Sequence, residues 1–298
     1  MNIERQLAKL LDILRRIQAM LRAPHAQRII WMIAVLVFLG GLVVSIAAQP
    51  ALIANIRIET ILVVLLALCP LMTCANMLTT KELARLAGAQ MNYFAAFKLA
   101  VMSTAANQLP APGGPLLRIV AFQAAGAKLK DSTLATLAAG LIWMGATFLF
   151  AAAWAFSLNL WLSASLLGAG GVMTAAAFMM SMRLPGGALS AGRLFAVSSV
   201  SAALYAAAIY WALLSFGVSW SFGQAAVISA AGVIGAAISI VPSGLGVREA
   251  ASASLAAMIG AQPAAAFTAT ASIHLAMLVI MGGCALFFAS RNKTALAS

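Results

Sequence analysis

Charge is scarce in this sequence. Only 8% of its 298 residues are Asp, Glu, Lys or Arg, whereas 64% are hydrophobic. A soluble domain carries about 25% charged residues, so this composition cannot cover a water-exposed surface. The scarcity excludes a soluble globular enzyme and predicts that most of the protein surface faces lipid.

Residues that ligate metals or transfer protons are also few. The chain has three cysteines and two histidines, and none of them has a partner at metal-ligand spacing: Cys69, Cys74, Cys284, His25 and His274. His274 is interpreted as a packing residue. The sequence contains no pair of catalytic carboxylates, no Gly-rich nucleotide loop and no Ser/His/Asp set. We therefore expect no metal, no cofactor and no enzyme activity.

Long apolar runs are what the chain has instead. A helix needs about 20 apolar residues to cross the hydrocarbon core. Six continuous runs satisfy this length: 29–48, 61–80, 133–156, 160–180, 194–216 and 264–288. Because only helices and closed barrels satisfy their backbone in lipid, continuous runs predict a helical bundle. The predicted fold class is an all-α polytopic membrane protein with one transmembrane domain, residues 29–290.

Two further apolar segments, 94–127 and 223–260, are interrupted at their centres by Pro and Gly. Each arm of such a segment has about 14 residues and is about 20 Å long as a helix, which is too short to cross the membrane. We expect each segment to enter the membrane, turn and return to the same side. The sequence thus predicts two re-entrant helical hairpins in addition to the six full spans.

The positive charges predict the orientation. Six of the 18 Lys and Arg residues precede residue 29, and cytoplasmic segments are those enriched in Lys and Arg. When both broken segments are hairpins, every basic loop falls on the cytoplasmic side, together with both termini. We expect a multi-pass protein of the bacterial inner membrane, and the net charge of +12 does not indicate nucleic-acid binding. Residues 1–28 are predicted to form an amphipathic interfacial helix, and residues 291–298 a short cytoplasmic tail.

The two breaks share a local pattern: Pro112-x-Gly114-x-x-x-Arg118 and Pro242-x-Gly244-x-x-x-Arg248. The same offset along the chain relates the two prolines, the two glycines and the two arginines. The predicted hairpins enter from opposite faces, and each is followed by one full span. This arrangement is typical of an inverted-topology repeat.

A break of this kind suits anion binding. Pro and Gly end the first arm, and the start of the second arm exposes unpaired N–H groups and a partial positive charge. Arg118 and Arg248 lie in these first turns, and the Arg fork matches a phosphate group. The predicted substrate-binding residues are Asn107, Gly113, Gly114, Arg118, Ser243, Gly244, Gly246, Arg248 and Glu249, with structural breaks at Pro110, Pro112, Pro115 and Pro242.

Glu249 is one of only six acidic residues, and an ionisable side chain at membrane depth is costly and usually functional. It could pair with Arg248 or Arg118, bind a cationic headgroup, or take up a proton. Alternatively, it could be a carboxylate that the positive start of the helix favours. The sequence leaves these alternatives open.

The stretch Val241-Pro242-Ser243-Gly244-Leu245-Gly246-Val247-Arg248-Glu249-Ala250 resembles the transmembrane region of lysylphosphatidylglycerol synthase/flippase proteins. The earlier Asn107-x-x-Pro110-x-x-Gly113-Gly114-x-x-x-Arg118 is similar to the first-half motif of that family, and the resemblance spans roughly residues 30–290. It implies lipid translocation between leaflets and a re-entrant core, with the cargo lipid left open. The synthase domain of two-domain members has no counterpart in this sequence, so lysine transfer to lipid is not expected.

The function predicted from these features is a lipid flippase or scramblase that moves an anionic headgroup, of phospholipid or polyprenyl-phosphate type. A secondary transporter of a small anion could use the same site. A non-catalytic membrane subunit of a lipid-modifying complex is the third alternative. The expected partners are membrane lipids, with a homo-oligomer or a lipid-modifying enzyme as further possibilities.

Overall fold

The computed structural model describes residues 24–107, 113–237 and 244–296, and within these ranges all regular structure is helical. Predictions that concern residues 1–23, 108–112, 238–243 and 297–298 lie outside the described residues. They include most of the N-terminal amphipathic helix and the positions of Pro110, Pro112, Pro242 and Ser243.

Eleven helices are described. In chain order, α1 to α11 span Pro24–Ala48, Ala51–Ala54, Ile58–Leu86, Tyr93–Ala106, Gly113–Ala124, Leu129–Ala155, Leu160–Ser181, Gly187–Ser215, Phe222–Ala237, Val247–Met258 and Pro263–Leu296. The third of these contains a π-helical turn at Val64–Leu68.

Five helices of the described chain are long and apolar enough to cross a membrane: Ile58–Leu86, Leu129–Ala155, Leu160–Ser181, Gly187–Ser215 and Pro263–Phe288. They coincide with five of the six predicted spans. The other predicted span, 29–48, lies in α1, whose apolar part Met32–Ala48 is shorter than the other five. The all-α, multi-pass membrane class is therefore confirmed.

Both interrupted segments form pairs of short helices, α4 with α5 and α9 with α10, and the two arms of each pair pack against each other. Glycines permit the close approach. A Cβ on Gly114 would lie 2.6 Å from the Ser103 carbonyl oxygen, and a Cβ on Gly244 would lie 2.5 Å from the Gly235 carbonyl oxygen. Gly244 also has a φ of +68°, which few residues with a side chain adopt. We call these pairs the first and the second hairpin.

The order of helices repeats along the chain. A long helix, the two arms of a hairpin and another long helix make up α3–α6, and the same sequence of elements makes up α8–α11. The first helix of each set has 29 residues, and its start shifts from Ile58 to Gly187. The packing repeats as well, since α4 of the first hairpin contacts α11 and α9 of the second hairpin contacts α6.

The bundle has two distinct ends. At one end, the cluster of Leu86, Ala89, Phe122 and Leu184 joins the loop after α3, the end of the first hairpin and the loop before α8. The basic residues in these segments and in the adjoining helix ends are Lys81, Arg85, Lys128, Lys130 and Arg183, so we call this the basic end.

At the opposite end, the Arg57 amide donates to the Ser215 carbonyl at 2.9 Å, and the Asn159 side chain donates to the Met258 carbonyl at 2.9 Å. The first bond joins the start of α3 to the end of α8, and the second joins the loop between α6 and α7 to the end of the second hairpin. The last residues of the first hairpin therefore lie at the basic end of the bundle, and the last residues of the second hairpin lie at the other end.

Helices α6 and α7 pack closely through small residues. A Cβ on Gly145 would lie 3.0 Å from the Gly170 carbonyl oxygen and would also collide with the Thr174 hydroxyl. Of the three glycines of α7, only Gly170 makes such a close contact, because Gly168 and Gly171 have open space where a Cβ would lie. Small residues at one face let the two backbones approach, as is common between membrane helices.

We expect the Gly145→Ala variant to unfold more easily than the wild type, by about 1–3 kcal/mol, because its Cβ forces α6 and α7 apart. The measurement is equilibrium unfolding of the detergent-solubilised protein. Gly140→Ala on the same helix is the matched control, since nothing lies within 4 Å of its Cβ. Equal stability of the two variants would contradict this account of the packing.

Candidate functional site

The second hairpin begins its second arm with a glycine in a left-handed conformation. Gly246 precedes α10 with a φ of +79°, and a Cβ there would lie 3.1 Å from the Ala34 carbonyl oxygen of α1. The Gly246 amide donates to Oε2 of Glu249 at 2.7 Å. Glu249 thus reaches back from the first turn to satisfy an N–H group at the helix start, which is the carboxylate half of a capping box.

The other carboxylate oxygen of Glu249 contacts a histidine. Its Oε1 lies 2.8 Å from Nδ1 of His274 in α11. Glu249 is completely buried and His274 is 5% exposed. The interpretation of His274 as a mere packing residue is therefore wrong: the side chain packs, but it also pairs with the one carboxylate of the second hairpin. Sequence spacing could not reveal the pair, because 25 residues separate its members.

Arg248 and Tyr205 extend this group. The Tyr205 side chain of α8 lies within electrostatic range of Arg248 and Glu249, although its buried hydroxyl has no hydrogen-bond partner among the described residues, and Arg248 acts electrostatically on His274. Gly235 makes room for Arg248, since a Cβ on Gly235 would lie 2.7 Å from that of Arg248. Four ionisable side chains from three helices therefore surround the start of α10. We call Tyr205, Arg248, Glu249 and His274 the second-break cluster.

At the corresponding place in the first hairpin, the side chains that accept hydrogen bonds are neutral. The Gly114 amide donates to Oδ1 of Asn107 at 3.1 Å, across the break between its arms. Nε of Arg118 donates to the Ser103 hydroxyl at 3.2 Å, and that hydroxyl donates to the Ala100 carbonyl at 3.1 Å. Pro115 lies in the first turn of α5, as predicted. We call Ser103, Asn107, Gly114 and Arg118 the first-break cluster.

The described site residues thus gather in two places. Asn107, Gly113, Gly114 and Arg118 lie together at the first break, and Gly244, Gly246, Arg248 and Glu249 lie together at the second. Sequence reasoning missed Ser103, Tyr205 and His274. The internal repeat offers a weak signal for one of them. Asn76 of α3 occupies nearly the position that corresponds to Tyr205 of α8, and it also contacts the first arm of its hairpin, donating to Thr104 at 3.0 Å.

A cavity of about 340 Å³ lies at the end of the bundle opposite the basic end. Its polar lining comes from Gln49, Asn55, Ser219, Trp220 and Gln262. Neither Arg118 nor Arg248 lines it. Within the described residues this cavity is therefore separate from both break clusters.

Replacement of Glu249 by Ala should lower the stability of the protein by about 1–3 kcal/mol for each of two buried groups, because it leaves the His274 ring and the Gly246 amide without their hydrogen-bond partner. Glu249→Gln should cost less, since an amide oxygen can still accept from that N–H group. Ser254→Ala, at an exposed position of the same helix, is the control. The measurement is unfolding in detergent, and a Glu249→Ala variant as stable as the control would refute the capping role.

A family model described as the lysylphosphatidylglycerol synthase TM region matches residues 183–283. No curated protein matches the chain. The matched stretch begins just before α8 and ends within α11, so it includes the whole second hairpin and all four residues of the second-break cluster. Over residues 183–283 this chain is therefore similar to the lysylphosphatidylglycerol synthase TM region, and the resemblance predicted from the Pro-x-Gly-x-Gly-x-Arg-Glu stretch is confirmed.

Proposed function

We propose that the protein is a lipid flippase or scramblase that moves a lipid with an anionic, phosphate-bearing headgroup between leaflets. The observation that carries the proposal is the pair of broken hairpins, each with an arginine near the start of its second arm: Arg118 in the second turn of α5 and Arg248 in the first turn of α10. The family match supports a membrane function related to lipids. In this proposal the protein forms no covalent bond with its cargo and needs no cofactor.

The helix order supports an inverted arrangement of the two halves in the membrane. Each half has three helices that we propose cross the bilayer, namely α1, α3 and α6 in the first half and α7, α8 and α11 in the second. A hairpin that returns to its own side adds no crossing. With three crossings per half, the second half starts on the opposite side, so its hairpin enters from the opposite face.

The hairpins would bring two helix starts to membrane depth. Each of the helices α5 and α10 begins with N–H groups that lack helical partners, together with a partial positive charge. Arg118 in the second turn of α5 and Arg248 in the first turn of α10 are both half-buried. An arginine fork next to a helix start suits a phosphate group, which would enter between the hairpins while its acyl chains remain in lipid.

The surface of the first hairpin favours a lipid over a soluble anion. On α5, Leu116 and Val120 share one face of the helix and are 55% and 61% exposed, while Arg118 lies on a different face. Phe94 on the first arm is 67% exposed. Exposed large apolar side chains on both arms indicate that this hairpin borders the hydrocarbon region, which would place an anion site on the hairpin next to lipid.

We further propose that the basic end faces the cytoplasm of a bacterial inner membrane, with both termini on that side. Membrane lipids are the proposed partners. A homo-oligomer or a lipid-modifying enzyme bound to the same protein is compatible with this function.

In proteoliposomes, the wild type should exchange labelled phosphatidylglycerol between leaflets, and Arg118→Ala and Arg248→Ala should each slow this exchange about 10- to 100-fold. That range corresponds to the loss of a hydrogen bond to a charged group, about 1.5–3 kcal/mol. Arg118→Lys should recover only part of the rate, because lysine keeps the charge but not the fork. The assay is dithionite quenching of the label in the outer leaflet.

Arg193→Ala is the matched control, since it removes the same charge from an exposed position on α8. Wild-type rates for both hairpin variants, in protein that is shown to be folded, would disprove the arginine mechanism. If the wild type exchanges no lipid but takes up a small phosphate anion, the result would favour a secondary transporter of a small anion. A stoichiometric co-purifying enzyme without any transport would favour the accessory-subunit alternative.

The hairpin topology has its own test. In a variant without the three native cysteines, Lys128→Cys and Gln262→Cys place single thiols at exposed positions just after the first and the second hairpin. On intact cells, a membrane-impermeant maleimide should label the Gln262→Cys protein from outside. The Lys128→Cys protein should be labelled only after permeabilisation. If segment 94–127 crossed the membrane once, position 128 would be labelled from outside.

A further inference from the structure

The most polar place within the described bundle is the second-break cluster, and its buried Glu249–His274 pair has no counterpart in the first hairpin. At the offset that relates Arg118 to Arg248, Ile119 stands where the second half has Glu249. Helix α6, which corresponds to α11, has no ionisable residue between Ser132 and Ala155. The pair therefore distinguishes the two halves of an otherwise repeated architecture.

Closing a break does not require such a pair. In the first hairpin a neutral amide, Asn107, accepts the N–H group of Gly114. In the second hairpin the carboxylate of Glu249 accepts the N–H group of Gly246. Because a neutral side chain performs this structural task in one half, the buried carboxylate and its histidine exceed what the break needs. A buried ionisable pair in a membrane domain is costly, which points to a role in function.

We propose that the Glu249–His274 pair is a proton-binding site, and that uptake of one proton by the pair strengthens the binding of an anionic phosphate group beside Arg248. This inference rests on the proposed function only for the identity of the cargo. It adds a coupling ion, so that the movement of the anion would be linked to protons.

The chemistry balances with one proton. A neutral His274 that donates through Nδ1–H to Glu249 leaves the lone pair of Nε2 free to accept a proton. With Arg248 positive, Glu249 negative and His274 neutral, the three groups have no net charge, and the added proton gives them a charge of +1. An anion then binds more strongly, and by reciprocity the bound anion raises the affinity of the pair for the proton.

Few other side chains near the Glu249–His274 pair could change their protonation state with pH. Tyr205 of α8 and Arg248 of α10 are the other ionisable side chains that act on the pair. Helix α9 has no ionisable residue, and α1 faces the break with Ala34 and Val37. On α11, between Pro263 and Ser290, Cys284 is the sole other titratable residue. Tyrosine and arginine keep their protonation between pH 5 and 8 in ordinary surroundings, so His274 is the group expected to respond there.

The test observes the proton directly. The chain has only two histidines, so a His25→Gln protein with ring-¹⁵N-labelled histidine reports His274 alone. Its ring nitrogens are followed by solid-state NMR from pH 5 to 9 in nanodiscs of phosphatidylcholine, of phosphatidylcholine with glycerol phosphate, and of phosphatidylglycerol. We expect the Nδ1–H tautomer at high pH, and a proton affinity at least about fivefold higher when the phosphate group is present.

The probes separate the two sources of phosphate chemistry. An increase with phosphatidylglycerol alone assigns the site to a lipid headgroup, and an increase with glycerol phosphate shows that a soluble anion is enough; both results support the linkage. An Arg248→Gln protein controls for the lower surface pH of anionic nanodiscs, because it keeps that effect and loses the linkage. A His274 signal that does not titrate, or whose proton affinity is the same with and without both probes, overturns the proposal.

Transport provides an independent readout. The rate of lipid exchange by the wild type should rise as the pH falls from 8 to 5, and His274→Gln should remove this dependence. An unchanged pH profile in His274→Gln would overturn the coupling even if exchange itself is confirmed. Conversely, if the wild type moves no lipid at any pH, the proposed cargo is wrong, while the NMR titration still decides whether the pair binds a linked proton.

Discussion

The requirement that backbone polar groups find partners away from water shapes the whole of this protein. Continuous helices meet it within themselves, which explains why almost all of the described chain is helical. In the two hairpins the helices are interrupted, so side chains must supply the hydrogen-bond partners that the helix would otherwise provide. Each break leaves N–H groups without helical partners, and each is repaired by one side-chain oxygen, from Asn107 in the first half and from Glu249 in the second.

The repair also determines the chemistry of each break. Asn107 is neutral, so the first break carries the positive charge of Arg118 without an opposing carboxylate among its described contacts. Glu249 is negative, so the second break holds opposite charges side by side. His274 of α11 contacts Glu249, and Tyr205 of α8 lies within electrostatic range of it. A repeated architecture can thereby hold two sites of different charge, one suited to attracting an anion and the other to exchanging a proton.

Glycine is the residue that allows these sites to form. Gly235 admits Arg248 against the first arm of its hairpin, and Gly246 takes the left-handed turn that lets α10 start against α1. Gly114 does the same for the first hairpin by accommodating Asn107. A methyl group at any of these positions would meet a neighbouring atom, so the packing of the hairpins and the placement of their polar side chains depend on the same small residues.

Much of the fold followed from the sequence alone. Apolar length predicted the long helices, because the hydrocarbon core demands about 20 apolar residues of any helix that crosses it. Pro and Gly clustered at the centres of 94–127 and 223–260 predicted the paired short helices, because together they remove an N–H donor and permit dihedral angles that are not helical. The repeated Pro-x-Gly pattern also placed Arg118 and Arg248 near the starts of the second arms, although α5 begins earlier than expected, at Gly113, so that Arg118 lies in the second turn and not in the first. All of these features depend on composition and local order.

Only the tertiary structure could decide which side chains meet. His274 lies 25 residues from Glu249 and on another helix, and Tyr205 lies still farther away along the chain. Their approach depends on how α8, α10 and α11 rotate and pack, and the sequence pattern of a helix that is apolar on all sides does not encode its rotation. For the same reason Gly170 proved to be the contact glycine of α7 while Gly168 and Gly171 did not. Residue order along the chain specifies the helices, their breaks and their charges, whereas the packing of the helices selects which of those charges become partners.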